Sequence, residues 1–137
     1  MRFMIIRKAD AATEAGTLPS PEQFDAMTKY HEDAAAAGIL RGGDGLKPSS
    51  AGARVEFRGG RPTVTDGPFT ETKELVAGFS IIDVPSLADA IEWVRGWPKE
   101  DGDATLEIRP FYEADDFGDA LTADVRERQT RMRAGLR

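Results

Sequence analysis

The alternation of apolar and polar positions divides the chain into short strands and two well-signalled helices. Arg2 to Arg7 encloses Phe-Met-Ile-Ile between two arginines, a short apolar run that predicts a strand covered on both faces. Ala9 to Pro19 is small and polar and reads as a loop. Ser20-Pro21-Glu22-Gln23 then combines a capping hydroxyl, a proline at the first helical position and a reciprocal glutamine. Phe24, Met27, His31, Ala34 and Ala35 follow at helical spacing, and Gly38 supplies the stop.

Ile39-Leu40 opens a second strand that runs into Gly42-Gly43-Asp44-Gly45. Arg54 to Arg58 alternates strictly, Gly59-Gly60 turns, and Arg61 to Thr65 returns, which is a β-hairpin pattern. Pro62 places the return strand at an edge or at its own start. Leu75 to Val84 is the longest strand, with Leu75, Ala77, Phe79 and Ile81 on one face. Val76, Gly78, Ser80, Ile82 and Val84 take the other. Ser86 with Asp89 caps a second helix whose stripe is Leu87, Ala90, Ile91 and Val94, and Trp97-Pro98 closes it. In Ala104 to Tyr112, Leu106 and Ile108 oppose Glu107 and Arg109. From Asp115, the residues Phe117, Leu121 and Val125 recur every four positions, which predicts a thin helical stripe. Acids come first and arginines last, an arrangement suited to the helix dipole.

This order predicts an α+β fold: a ferredoxin-like split β-α-β arrangement with an inserted β-hairpin and both helices on one sheet face. Residues 1–113 form the expected domain, and 114–137 a charged helical C-terminal tail. Because the first and longest strands are apolar on both faces, the second sheet face is expected to be a dimer interface or a pocket.

Composition narrows the chemistry. The 137 residues include no cysteine and one histidine, which excludes disulfides, thiolate catalysis and any one-chain site needing two imidazoles. The formal charge of −6 opposes nonspecific binding to nucleic acid or an anionic membrane. No apolar run approaches the roughly 20 residues that span a bilayer, and Arg7-Lys8 arrives too early for a secretory signal, so a cytoplasmic location is expected. Asp44 could offer a metal an oxygen, but no second ligand stands at metal-site spacing, so no metal or other cofactor is expected.

The segment Thr65-Asp66-Gly67-Pro68-Phe69-Thr70-Glu71-Thr72-Lys73-Glu74, followed by Leu75-Val76-Ala77-Gly78-Phe79, carries the most specific signal. With Ala37-Gly38-Ile39-Leu40, Gly43 to Pro48 and Glu107-Ile108-Arg109-Pro110, it resembles the Asp-Gly-Pro-Phe branch of the YCII-related proteins over residues 1–113. The resemblance implies a homodimer of the dimeric α/β-barrel type. It also implies a regulatory reading, since such proteins are often encoded beside extracytoplasmic-function sigma factors. In the wider group a His–Asp pair is proposed as catalytic. Counted from Gly38, that histidine falls near Met27, one turn from His31.

Each candidate residue has a functional and a plainer structural reading. Asp66 is either a turn carboxylate or an acid/base group at a pocket mouth, with Gly67 free to take positive φ. His31 is either a satisfied interior residue or a general base. Arg109 either pairs with neighbours across the sheet or clamps an anion, and Arg41 is a second candidate for that clamp. Asp44, Glu71 and Lys73 complete the candidate ligand-binding set. Three functions follow as expectations. The first is binding of a small polar or anionic metabolite in a pocket on the second sheet face, with cofactor-independent hydrolase, lyase or isomerase chemistry on Asp66 and His31. The second is a regulatory module with a sigma-factor-linked partner, and the third a structural dimer.

Overall fold

The computed structural model describes residues 1–136. Six strands and four α-helices follow one another as β1 (Arg2–Lys8), α1 (Ala11–Glu14), α2 (Pro21–Ala36), β2 (Leu40–Gly45), β3 (Ala53–Arg58), β4 (Arg61–Asp66), β5 (Val76–Asp83), α3 (Leu87–Arg95), β6 (Leu106–Pro110) and α4 (Ala123–Ala134). Four strands make one antiparallel sheet in the order β2-β5-β1-β6, and β3 with β4 makes a separate ribbon. With the ribbon set aside, this is the βαββαβ order and pairing of a ferredoxin-like α+β fold.

The strand pattern decides what each face carries. Phe3, Ile5 and Ile82 are fully buried and pack with Val84, Ala90, Trp93 and Val94 beneath the helices. Met4, Ile6, Phe79 and Ile81 alternate with them, so they form a half-buried apolar patch on the opposite face, where Met4 pairs with Ile81 and Ile6 with Phe79. Glu107 and Arg109 flank this patch through their pairing with Ile6 and Met4.

Local signals set the helix starts. Ser20 accepts from the Gln23 amide while the Gln23 side chain accepts from the Ser20 amide, which satisfies two donors that a helix N-terminus leaves open. Ser86 caps α3 through the Asp89 amide. The helices are tied together by Tyr30 of α2, whose ring stacks on Trp93 of α3 at 4.5 Å while its hydroxyl donates to the Trp93 carbonyl. Burial of this phenol pushes its pKa up.

Three sequence expectations change. The segment from Ala9 to Pro19 is not only a loop: Asp10 and Thr13 form a capping box that starts the four-residue α1. Nor is the tail one continuous stripe. It forms a 3₁₀ segment over Ala114–Ala120, interrupted at Gly118 (φ 57°), before α4 begins. Phe117 therefore packs on Tyr112, with ring centres 4.9 Å apart, and does not extend a stripe with Val125.

The third change concerns Gly67, which is absent from the positive-φ glycines and is needed for space instead. A β-carbon there would stand 1.8 Å from the Ser49 carbonyl oxygen. Around it the Asp-Gly-Pro-Phe turn is latched to the body. The Gly67 amide donates to the Gly52 carbonyl (3.1 Å) and the Phe69 amide to the Ser49 hydroxyl (3.0 Å). Ser49 in turn donates its hydroxyl and amide to Glu14 of α1, at 2.5 and 3.0 Å. Arg54 covers the Phe69 ring at 3.9 Å.

Candidate functional site

A cleft of about 580 Å³ opens between α2 and the β2–β5 edge of the sheet. Its existence follows from what the strands omit. In the register of β2 and β5, Gly43 pairs with Ser80 and Gly45 with Gly78, and Ser80 shares the helix-facing side with Ile82. Three of these four helix-facing positions are glycine, so α2 lies over bare backbone there rather than over packed side chains. Gly43 and Gly78 leave little choice in this. A β-carbon on Gly43 would lie 2.6 Å from the Phe79 carbonyl, and one on Gly78 would lie 3.1 Å from that of Asp44. Gly45 differs, having ordinary φ and open space around its missing β-carbon.

Ser80 is the polar exception on this floor, and it is 2 % exposed. His31 reaches it from α2, with Nε2 2.7 Å from the Ser80 hydroxyl and Nδ1 2.9 Å from the Met27 carbonyl one turn back. A carbonyl only accepts, so Nδ1 carries a proton, and in the neutral ring Nε2 then accepts from the Ser80 O–H. The ring is also held edge-on among Tyr30, Trp93 and Trp97 at 5.7–5.9 Å. A backbone carbonyl thus orients the base, and the base in turn holds a buried hydroxyl, in the nucleophile–base–orienter order familiar from acid/base sites.

At one end the cleft is closed by Arg7, whose side chain is 11 % exposed. Its Nε and Nη2 donate to the Asp101 carboxylate at 3.0 and 3.2 Å, and Nη2 also to the Asp101 carbonyl at 3.4 Å. Nη1 donates to the Lys8 carbonyl and to Asp10 at 2.7 and 3.0 Å. Burial disfavours the charge on Arg7, but the hydrogen bonds and charges of Asp101 and Asp10 outweigh it, and its pKa is raised. The Asp10 carboxyl is held below its ordinary value, first by the Thr13 amide and then by Arg7. Trp97 donates its indole N–H to Asp101 at 2.9 Å, which completes the end wall.

The residues singled out from sequence fall in four places. His31 and Asp44 line the cleft, Asp44 in register with Phe79. Asp66, Glu71 and Lys73 lie at the base of the ribbon and are exposed there. Glu71 lies 3.7 Å from Arg54, and its carboxyl is held low by its own backbone amide first and by Thr70 next. Arg41 bonds the Gly38 and Leu40 carbonyls and faces Asp83. Arg109 is exposed on the second sheet face, 3.5 Å from Glu107. The structure therefore does not bring Asp66, Arg109 and His31 into one cavity, and this cleft lies on the helix-bearing face, whereas the sequence expectation placed a pocket on the opposite one. The strand pairing explains the difference, because Arg109 pairs with Met4 and so shares its face.

Sequence reasoning did not assign Ser80, Arg7, Trp97 and Asp101 to a site. Two of them carried a readable signal. Ser80 is a hydroxyl, and Arg7 a charge, on the parity that buries Ile82, Phe3 and Ile5.

A family model for the YCII-related domain matches residues 1–114. The chain belongs to the YCII-related family. A relative from Rhizobium meliloti (strain 1021), described as an uncharacterized protein, is 38 % identical over 67 residues, or 48 % of this chain and 54 % of its own length. The chain thus matches about half of that curated relative. Among solved structures, the 5-chloro-2-hydroxyhydroquinone dehydrochlorinase of Burkholderia phenoliruptrix AC1100, in complex with 2,5-dihydroxybenzoquinone, aligns with a TM-score of 0.48 and 16 % identity. That alignment covers 85 % of this chain and 98 % of the dehydrochlorinase. Among the described residues, no helix is long and apolar enough to cross a membrane.

Proposed function

We propose that this YCII-related chain binds a small polar molecule in the helix-side cleft and that His31 exchanges a proton with it through Ser80. The observation that carries this reading is the 2.7 Å bond between the Ser80 hydroxyl and His31 Nε2 on the glycine-lined floor of the cleft. With Nδ1 anchored on the Met27 carbonyl, Nε2 is the basic atom, and the serine proton is the one it can take. A ligand hydroxyl that donates to the Ser80 oxygen is thereby linked through Ser80 to the imidazole. The chemistry this suits is proton abstraction and return, as in an isomerisation or elimination, and it asks nothing of Asp66 or Arg109.

A screen of small uncharged fragments by amide NMR tests the reading. Binders are expected to move the resonances of Gly45, Ser80 and Trp97, and His31→Phe is expected to abolish their binding while the melting curve stays cooperative. Fragments that instead gather on the ribbon, or bind H31F unchanged, refute it. The apolar patch of Met4, Ile6, Phe79 and Ile81 supports a second part of the proposal, a homodimer formed through the sheet face away from the helices.

A further inference from the structure

The structure assigns the cleft to an uncharged ligand that lays about one six-membered ring on its floor, and it makes Gly45 and the Arg7–Asp101 pair the determinants of that choice; the assignment rests on the cleft being the binding site. Charge comes first. Arg7 is the cleft's only cationic side chain among the described residues, and a guanidinium has five N–H donors. All five are committed, to the two Asp101 carboxylate oxygens, the Asp101 and Lys8 carbonyls, and Asp10. An entering carboxylate or phosphate therefore finds no free donor on Arg7, and two carboxylates already neutralise its charge. Apart from Arg7 and its partner Asp101, the charged side chains of the lining are Glu32 and Asp44, both acidic, so none draws an anion in.

A cation is no better served at the floor. Asp101 is held by Arg7 and Trp97. Glu32 is exposed on α2, and Asp44 alternates with helix-facing Gly43 and Gly45. What the floor offers is an imidazole and a hydroxyl. With both of their N–H and O–H donors already used, the Ser80 oxygen has a lone pair left to accept from a ligand hydroxyl. The sequence expectation of a polar or anionic metabolite is thus narrowed to a polar, uncharged one.

Size follows from strand geometry. Neighbouring strands lie about 4.8 Å apart, and residues i and i+2 of a strand about 6.7 Å apart. The bare patch over Gly43, Gly45 and Gly78 is therefore roughly the footprint of a single ring. Its one expandable corner is Gly45, where a β-carbon meets no atom within 4 Å and a longer side chain would extend into the ligand's space.

Three ring-matched probes test this directly: benzyl alcohol, benzylamine and benzoate, each titrated into ¹⁵N-labelled protein while the Trp97 indole and His31 ring signals are followed. Benzyl alcohol is expected to shift both signals and to bind at least about tenfold more tightly than benzoate. Gly45→Leu is expected to remove that response with the remaining spectrum intact. Asp101→Ala frees two Arg7 donors and is expected to let benzoate in, with Asp101→Asn as the milder variant if D101A unfolds. If benzoate or benzylamine binds wild type as tightly as the alcohol while Gly45→Leu still blocks binding, the ligand class is wrong and the cleft reading stands. If Gly45→Leu changes nothing, or no probe moves Trp97 and His31, the cleft reading falls and this inference with it.

Discussion

Replacing Gly67 by alanine tests whether the Asp-Gly-Pro-Phe turn is a close-packed latch. The new β-carbon would lie 1.8 Å from the Ser49 carbonyl oxygen and 3.2 Å from the Ser50 amide nitrogen, both backbone atoms that no rotamer change can move. Relief requires the turn and the Ser49 segment to separate by more than about an ångström, an overpacking cost of about 1–3 kcal/mol. That separation also breaks the Gly67–Gly52 and Phe69–Ser49 hydrogen bonds, each worth about 1 kcal/mol net. The expected loss is about 3–5 kcal/mol, or roughly 10–20 °C in Tm for a domain of this size. Thermal melts followed by circular dichroism, with Gly45→Ala as control, measure it. Gly45 has open space and ordinary φ, so its alanine variant should melt at or slightly above wild type. A Gly67→Ala protein that melts within about 2 °C of wild type would falsify the latch, because such a shift corresponds to well under 1 kcal/mol.

Two further outcomes follow from the packing. The Tyr30 phenol has its pKa raised by burial, so the folded state stays neutral while the unfolded chain ionises near pH 10. Stability is therefore fully present below about pH 10 and declines above it. Tyr30→Phe should flatten that alkaline decline while costing about 1 kcal/mol at neutral pH for the lost bond to the Trp93 carbonyl; chemical denaturation at pH 7 and 11 separates the two effects. Ile81→Lys places a charge in the centre of the second-face patch and should leave a folded monomer by sedimentation velocity. A wild-type protein that is already monomeric at tens of micromolar removes the dimer from the proposal.

The architecture was legible because its determinants are local. Ser20 and Gln23, Ser86 and Asp89, and the Gly59-Gly60 turn each act within a few residues, and periodicity carried the strand faces. The cleft was not legible, because it depends on register. Nothing in the sequence states that Gly45 meets Gly78 and Gly43 meets Ser80 across two strands more than thirty residues apart. His31 was visible as a candidate, whereas its partner appears only after α2 is laid over β5. Arg109 looked like an anion clamp for the opposite reason, since its residue type was informative and its surroundings were not. The Asp-Gly-Pro-Phe motif stood out in sequence, and its close neighbour Ser49, which explains the glycine, did not.

The ribbon of β3 and β4 lies wholly outside the four-stranded sheet, and every one of its residues is exposed. That makes the chain modular. Its tip at Gly59-Gly60, where both glycines take positive φ, can be cut, extended or used to join foreign sequence without disturbing a core residue. A reporter spliced there would ride on an arm whose base is clamped at Ser49, and the cleft beneath α2 would remain open.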